Sequence, residues 1–284
     1  MAGPLGPRGP RRRAALLLCT LLLAAARTVA AEAEDRLTPL LEQALQRPAE
    51  AAAIRVQSSE SPGGIVGGEA FGLLDTEFEA FRQALAQPPR WCEMLLLHLN
   101  NKSCSTAAEG GRVTLALGVV RRYDIPADQA FALEFRHQQV EASPRRFAAR
   151  LEAANGPAGT RDIQIVLEAM PAPGGRTFAR LSYSYGQGFM TATALRLYFA
   201  TFGRSKVGFS EVGHLPNGQP ELIGGIRGLV ERNAMRYFLA LQALFAADAQ
   251  PQRARRWFEL TEQHPRQLHE PSLEQYLANR PFGH

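Results

Sequence analysis

The stretch from Gly224 to Ala247, GGIRGLVERNAMRYFLALQALFAA, constrains this chain more than any other. It opens on two glycines and contains no proline. Ile226, Val230, Tyr237, Leu241 and Leu244 fall on one stripe at steps of three and four, the spacing of a buried helical face. Met235, Phe238, Leu239 and Phe245 extend the apolar surface round much of the circumference, so the helix is expected to be covered on more than one side. At about 1.5 Å per residue it would run roughly 35 Å, enough to cross a domain. Asn233 interrupts the apolar stripe and Arg236 borders it.

The N-terminus reads as an address. Arg8, Arg11, Arg12 and Arg13 precede the apolar run Ala14 to Ala26, and small residues follow at Val29-Ala30-Ala31. This is the layout of a secretory signal with cleavage near Ala31 or Ala33, and the run is too short to span a bilayer. Cys19 follows Leu18 and lies too early for a lipoprotein signal. The five arginines before Ala31 leave with the signal and no acidic residue does, so the formal charge of +5 falls to about zero. Net charge then gives no reason to expect a nucleic-acid partner. A periplasmic or secreted location is expected.

Two cysteines remain, Cys92 and Cys104, and an oxidising compartment favours a disulfide between them. No CxxC or HxxxH occurs, so no metal site is expected, nor any cofactor. His98, between the cysteines in a dense apolar run, reads as a packed or surface residue. Asn101-Lys102-Ser103 matches a glycosylation acceptor, which matters only in a eukaryotic secretory route.

Upstream of the long helix the period changes. Residues 36–46 form a short amphipathic helix candidate, and a polar cluster at 58–64 with Gly67-Gly68 reads as an arm or linker. Thr76 and Glu79 have capping-box spacing at the start of a helix carrying Phe78, Phe81 and Leu85, with Pro88-Pro89 ending it. Trp91 to Leu99 is either helix or buried strand. From Arg112 apolar residues alternate: Val113 to Val119, Phe131 to His137, Phe147 to Leu151, Ile163 to Leu167, and Ala179 to Tyr185. Such a succession predicts a strongly curved antiparallel sheet, with Pro171 to Gly175 turning its last hairpin and Pro216 to Pro220 a second, short one. Phe189 to Phe202 is a further apolar helix, core or flap, and an apolar helix of this kind can also touch a membrane. A short polar helix over 252–262 and a peripheral tail close the chain. The division expected is signal 1–31, arm 32–72, α+β domain 73–248 and helical tail 249–284.

Catalytic signatures are wanting. Gly208-Phe209-Ser210-Glu211-Val212-Gly213 misses a nucleophile elbow by one position and lies in a hairpin context. Polar residues on buried faces are the better clue. Tyr183 and Tyr185 share the face of Ala179 and Leu181, while Asn233 and Tyr237 interrupt the long helix, and polar tips in an apolar space are how pockets orient a hydrophobic ligand. The alternative is a core residue whose polar atom the backbone satisfies. Arg227 and Glu231, four apart, are expected to pair along the helix.

A helix, a run of antiparallel strands, the Arg161-to-Tyr185 hairpin and a long apolar C-terminal helix resemble the START-like, or helix-grip, superfamily over about 75–247. The stretches WCEMLLLHLNNKSC, GTRDIQIVLEAMP, LSYSYGQG and GGIRGLVERNAMRYFLAL are also similar to an uncharacterised family of secreted proteobacterial proteins. The helix-grip resemblance implies a curved sheet wrapped round the final helix, enclosing a cavity for a lipid or other apolar molecule. The expectation is therefore a non-catalytic binder of a hydrophobic small molecule or lipid, with Tyr183, Tyr185, Asn233 and Tyr237 at the ligand. The rival is an envelope interaction protein with a solid core.

Overall fold

A computed structural model describes residues 37–46, 54–61, 63–201 and 203–281. The expected signal segment with its cleavage point, and Phe202, the expected end of the apolar helix candidate from Phe189, lie outside the described residues. The fold is α+β, a curved eight-stranded antiparallel sheet holding a long helix.

The chain runs α1 (37–45), β1 (Arg55–Glu60), β2 (Ile65–Leu74), α2 (Phe78–Leu85), α3 (Pro88–Leu95), β3 (Asn101–Glu109) and β4 (Arg112–Val119). Then follow β5 (Phe131–Ala142), β6 (Phe147–Asn155), β7 (Thr160–Ala172), β8 (Arg176–Gln187) and α4 (Phe189–Ala200). The hairpin β9 (Glu211–His214) and β10 (Pro220–Leu222) leads into α5 (Gly225–Ala246), α6 (Gln250–Glu262), α7 (Pro265–Leu268) and α8 (Leu273–Ala278).

The strand order is β1-β2-β8-β7-β6-β5-β4-β3. Six of the seven antiparallel pairings join strands adjacent in the chain, and only β2 to β8 spans it, with Ala70 opposite Leu181. Alternation decides the faces. Ile163, Ile165 and Leu167 of β7 and Ala179, Leu181 and Tyr185 of β8 are buried on the inner face against α5. Gly68 faces the helix so closely that an added Cβ would stand 2.4 Å from the Val230 carbonyl oxygen. The outer face is only partly wet. α1 covers an apolar patch there, Leu37 and Leu41 packing with Phe71, Leu73 and Phe178.

The segment expected as an arm thus supplies two strands of the sheet. Val66, Gly68, Ala70 and Leu74 face inward with period two, but two glycines and a polar first strand hide that alternation in the sequence. β3 was equally illegible, a polar, small-residue strand whose partner β4 joins it across Gly110-Gly111, both at positive φ (55° and 76°), as a two-residue turn requires.

The helix starts differ from expectation as well. α2 begins at Phe78, so Glu77 rather than Thr76 is its N-cap and no side-chain cap forms, while Glu79 meets Arg82 (2.9 Å from Nε) and Gln83 (2.7 Å). Pro88 does not end α2, which stops at Leu85. It opens α3, where a missing N–H costs nothing. α3 settles the ambiguity of Trp91 to Leu99 as helix followed by a turn, and the Cys92–Cys104 disulfide ties it to β3.

The C-terminal helices are no peripheral tail. Trp257, Leu268 and Tyr276 belong to the main core. Trp257 donates to the Arg236 carbonyl at 3.0 Å, and its ring stacks on Tyr276 at 5.0 Å. Tyr276 donates to the Leu97 carbonyl at 2.8 Å. These helices cover the side of α5 that the sheet leaves free, which explains why that helix is apolar almost all round.

Candidate functional site

The four residues singled out on buried faces come together, and two that the sequence left aside join them. Tyr183 and Tyr185, two apart on β8, place their ring centroids 5.7 Å from each other. Tyr237 of α5 lies 5.9 Å from Tyr183 and 4.8 Å from the imidazole of His98, on which it stacks. The result is a ladder of four rings crossing from the sheet, over the long helix, to the turn after α3. Tyr185 and Tyr237 are almost fully buried, Tyr183 and Asn233 partly so.

Burial sets the electrostatics of the ladder. It raises the Tyr183 phenol well above its ordinary value and holds Tyr185 and Tyr237 at about 12, so all three stay neutral donors at physiological pH. Asn101 opposes the rise at Tyr237 through a side-chain hydrogen bond. Burial also lowers His98 to about 3, assisted by the nearby positive charges of Arg236 and Arg280. His98 is therefore a neutral imidazole. Its Nδ1 accepts from the Asn100 backbone N–H at 3.2 Å.

Asn101 is 1 % exposed and donates to the Leu95 carbonyl at 2.7 Å, so it is packed rather than presented for glycosylation. The signal for both residues was present but faint: a single histidine in an apolar run, followed three residues later by an asparagine. What the sequence could not show is that the chain's last helix closes over this turn. Arg280 donates to the carbonyls of Leu96 and His98, each at 2.9 Å, and of Leu99 at 2.6 Å.

A second polar centre lies further toward the N-terminus of α5. Glu231 is fully buried and accepts from Ser58 Oγ (2.6 Å), the Phe209 N–H (2.7 Å), the Ser210 N–H (2.9 Å) and Ser210 Oγ (2.7 Å). The expected Arg227–Glu231 pair does not form, because both meet Ser58 instead. Arg227 donates to the Ser58 carbonyl at 2.9 Å. Ser210, the near-match to a nucleophile, is thus a ligand of this carboxylate. With both oxygens of Glu231 engaged by donors, the arrangement clamps the loop before β9 onto α5 and β1.

On the outer face a groove of about 390 Å³ is lined by Ser59, Gly67, Glu69, Arg180 and Ser182. Arg180 spans Glu69 and Glu168, the latter at 2.6 Å. α4 packs Leu195 and Phe199 on the core while Leu197 and Tyr198 are exposed. Its Met190 side chain lies outside what is described. Among the described residues no group of three or more His, Cys, Asp or Glu could hold a metal ion, and no helix is long and apolar enough to cross a membrane.

No family model matches the sequence, and no curated protein matches it. Among solved structures the chain is similar to human StAR-related lipid transfer protein 5, at 10% identity over 78% of this chain and 98% of that one, with a TM-score of 0.37. It is similar to Ara h 8.0201 at 9% identity over 65% and 100% of the two chains, with a TM-score of 0.35. Norcoclaurine synthase from Thalictrum flavum gives 11% identity over 50% and 85%, with a TM-score of 0.34. Likeness at these levels carries no argument about chemistry. Any functional reading has to rest on the residues.

Proposed function

We propose that this chain is a secreted or periplasmic protein that binds a hydrophobic small molecule or lipid between the inner face of the sheet and α5, without transforming it. One observation carries the reading: a ladder of three tyrosines and a neutral histidine, polar tips set in an otherwise apolar core at the sheet–helix junction. Few polar groups fixed in an apolar lining orient an apolar ligand. α4, apolar on its core side and still apolar outward at Leu197 and Tyr198, is the cover such a ligand would pass.

A rival reading has its own support. The rings of Tyr183, Tyr185 and Tyr237 touch one another, as they would in a solid core, and the outward apolar residues of α4 would then meet an envelope protein or a membrane surface. Native mass spectrometry of the mature protein, purified gently from its own compartment, separates the two. The binding reading expects a reproducible extra mass that extracts into organic solvent. A bare polypeptide that takes up nothing from a lipid extract leaves the interaction protein. The same spectrum reads the N-terminus, expected just after Ala31 or Ala33, and an intact leader would remove the secreted assignment.

A further inference from the structure

β5 outlasts its neighbour in the sheet. β4 pairs with it as far as Val113 opposite His137 and ends at Arg112, where Gly110-Gly111 turns back into β3. β5 continues to Ala142 with β6 alone beside it: Gln138 opposite Arg150, Gln139 opposite Ala149, Glu141 opposite Ala148 and Ala142 opposite Phe147. Beyond His137 the side of β5 that faced β4 has no strand against it. Alternate residues of an antiparallel strand turn their N–H and C=O to opposite neighbours. Among the described residues, no backbone–backbone hydrogen bond outside the β6 ladder involves Gln138 to Ala142. Half of that backbone's bonding capacity is therefore open.

The open edge borders a cleft of about 640 Å³, whose lining includes Ala86 and Pro88 of the α2–α3 corner, Val113 of β4, and His137, Gln139 and Val140 of β5. No charged side chain lines it. Val140, in a β-bulge between Gln139 and Glu141, is 62 % exposed there. His137 on the cleft wall is 8 % exposed, and its Nε2 has no hydrogen-bond partner among the described residues. Chains ordinarily guard an open edge with lysine, proline or a charge. Gln138-Gln139-Val140 carries none of these.

We infer that this cleft receives an extended, uncharged peptide segment of a partner protein, which adds to β5 as a strand over 138–142. Main-chain hydrogen bonds would hold the segment, and its alternate apolar side chains would meet the uncharged lining. The added backbone also brings donors and acceptors beside His137, whose ring nitrogen lacks one. A second copy of this chain fits less well. Its own edge lies in the same recess between the α2–α3 corner and the β3–β4 turn, and two recessed edges are held apart by their rims. The inference stands independently of the sheet–α5 site.

The probes are capped hexapeptides alternating threonine with valine, leucine or phenylalanine, titrated by calorimetry onto the full mature chain. At least one is expected to bind and to slow amide hydrogen exchange at 138–142. N-methylation of that peptide at one set of alternate residues should cost about tenfold or more in affinity, and at the other set should cost little, because an edge strand turns only one set of N–H groups to its neighbour. Val140→Lys, at an exposed position, should weaken binding about tenfold by guarding the edge. Failure of all three peptides to bind overturns the inference. So does binding that tolerates both N-methylated sets, or protection that appears elsewhere than β5. Protection of 138–142 that grows with protein concentration in the absence of peptide makes a second copy the occupant, and overturns the partner peptide. The pair of N-methylated peptides decides the matter even where the variant does not fold.

Discussion

At the scale of single residues, the strongest commitments in this fold are made by groups with no room to change. Glu231 holds four donors from β1 and the loop before β9 while fully buried. Replacing it with glutamine keeps the shape but turns one oxygen into a donor facing donors. Glu231→Gln is expected to cost about 2–4 kcal/mol, the range for a buried charge-assisted network that loses its acceptor. Urea unfolding followed by tryptophan fluorescence measures it, and a midpoint equal to wild type would show that the clamp contributes nothing. Gly68 is constrained by space instead. A methyl group there would meet helix backbone at 2.4 Å, and backbone cannot rotate away. Gly68→Ala should therefore destabilise by roughly 1–3 kcal/mol, as overpacking does, although alanine is the milder residue in most strands. Gly67→Ala is the control, since its added carbon would find ordinary contacts near 3.5 Å.

At the scale of elements, the Cys92–Cys104 bond fastens α3 to the edge strand β3, which pairs with a neighbour on one side only. With a sequence separation of 12, the link should stabilise by roughly 3 kcal/mol in the chain-entropy model. The double variant Cys92→Ala/Cys104→Ala is expected to lose about that much in urea, with hydrogen exchange quickening first in β3. Uniform quickening over the sheet would show that the bond does not act on that edge. Elements also show what the sequence could and could not tell. Strands with an apolar residue at every second place, such as Ile163, Ile165 and Leu167, were legible, as was the continuous apolar run of α5. β1, with the sequence RVQSSE, and β3, with NKSCSTAAE, were not, because a strand on the rim of a sheet buries little of itself and carries little pattern. The candidate site divides along the same line. Tyr183, Tyr185, Asn233 and Tyr237 announced themselves by breaking a pattern. The link from His98 to Arg280 spans 182 residues and exists only once α8 has docked.

At the scale of the whole molecule, the buried ionisable groups couple the fold to pH in one direction. Burial lowers His98 to about 3 and lowers His137 and His264 as well. Each folded-state value lies below the unfolded one near 6.5, so as pH falls the unfolded chain takes up protons that the folded chain refuses, and stability declines. Glu270 acts over a lower window. Burial would raise it, but Arg236, Arg232 and Lys206 outweigh burial and hold it at about 2, below its ordinary 4.5. Its contribution is complete above 4.5 and is lost as pH falls toward 2. Acid unfolding should therefore begin below pH 6.5, earlier than carboxylates alone would give, at a slope of up to about 1.4 kcal/mol per pH unit for each proton taken up. Glu270 should steepen it below 4.5. Stability from urea curves at half-unit steps from pH 7.5 to 3 measures the profile. His98→Gln should lower the slope from 6.5 down to about 3, whereas Glu270→Gln should flatten only the limb below 4.5. A profile level down to pH 4.5 in the wild type would mean that these histidines titrate alike in the folded and unfolded chains, and that the ring ladder is open to water.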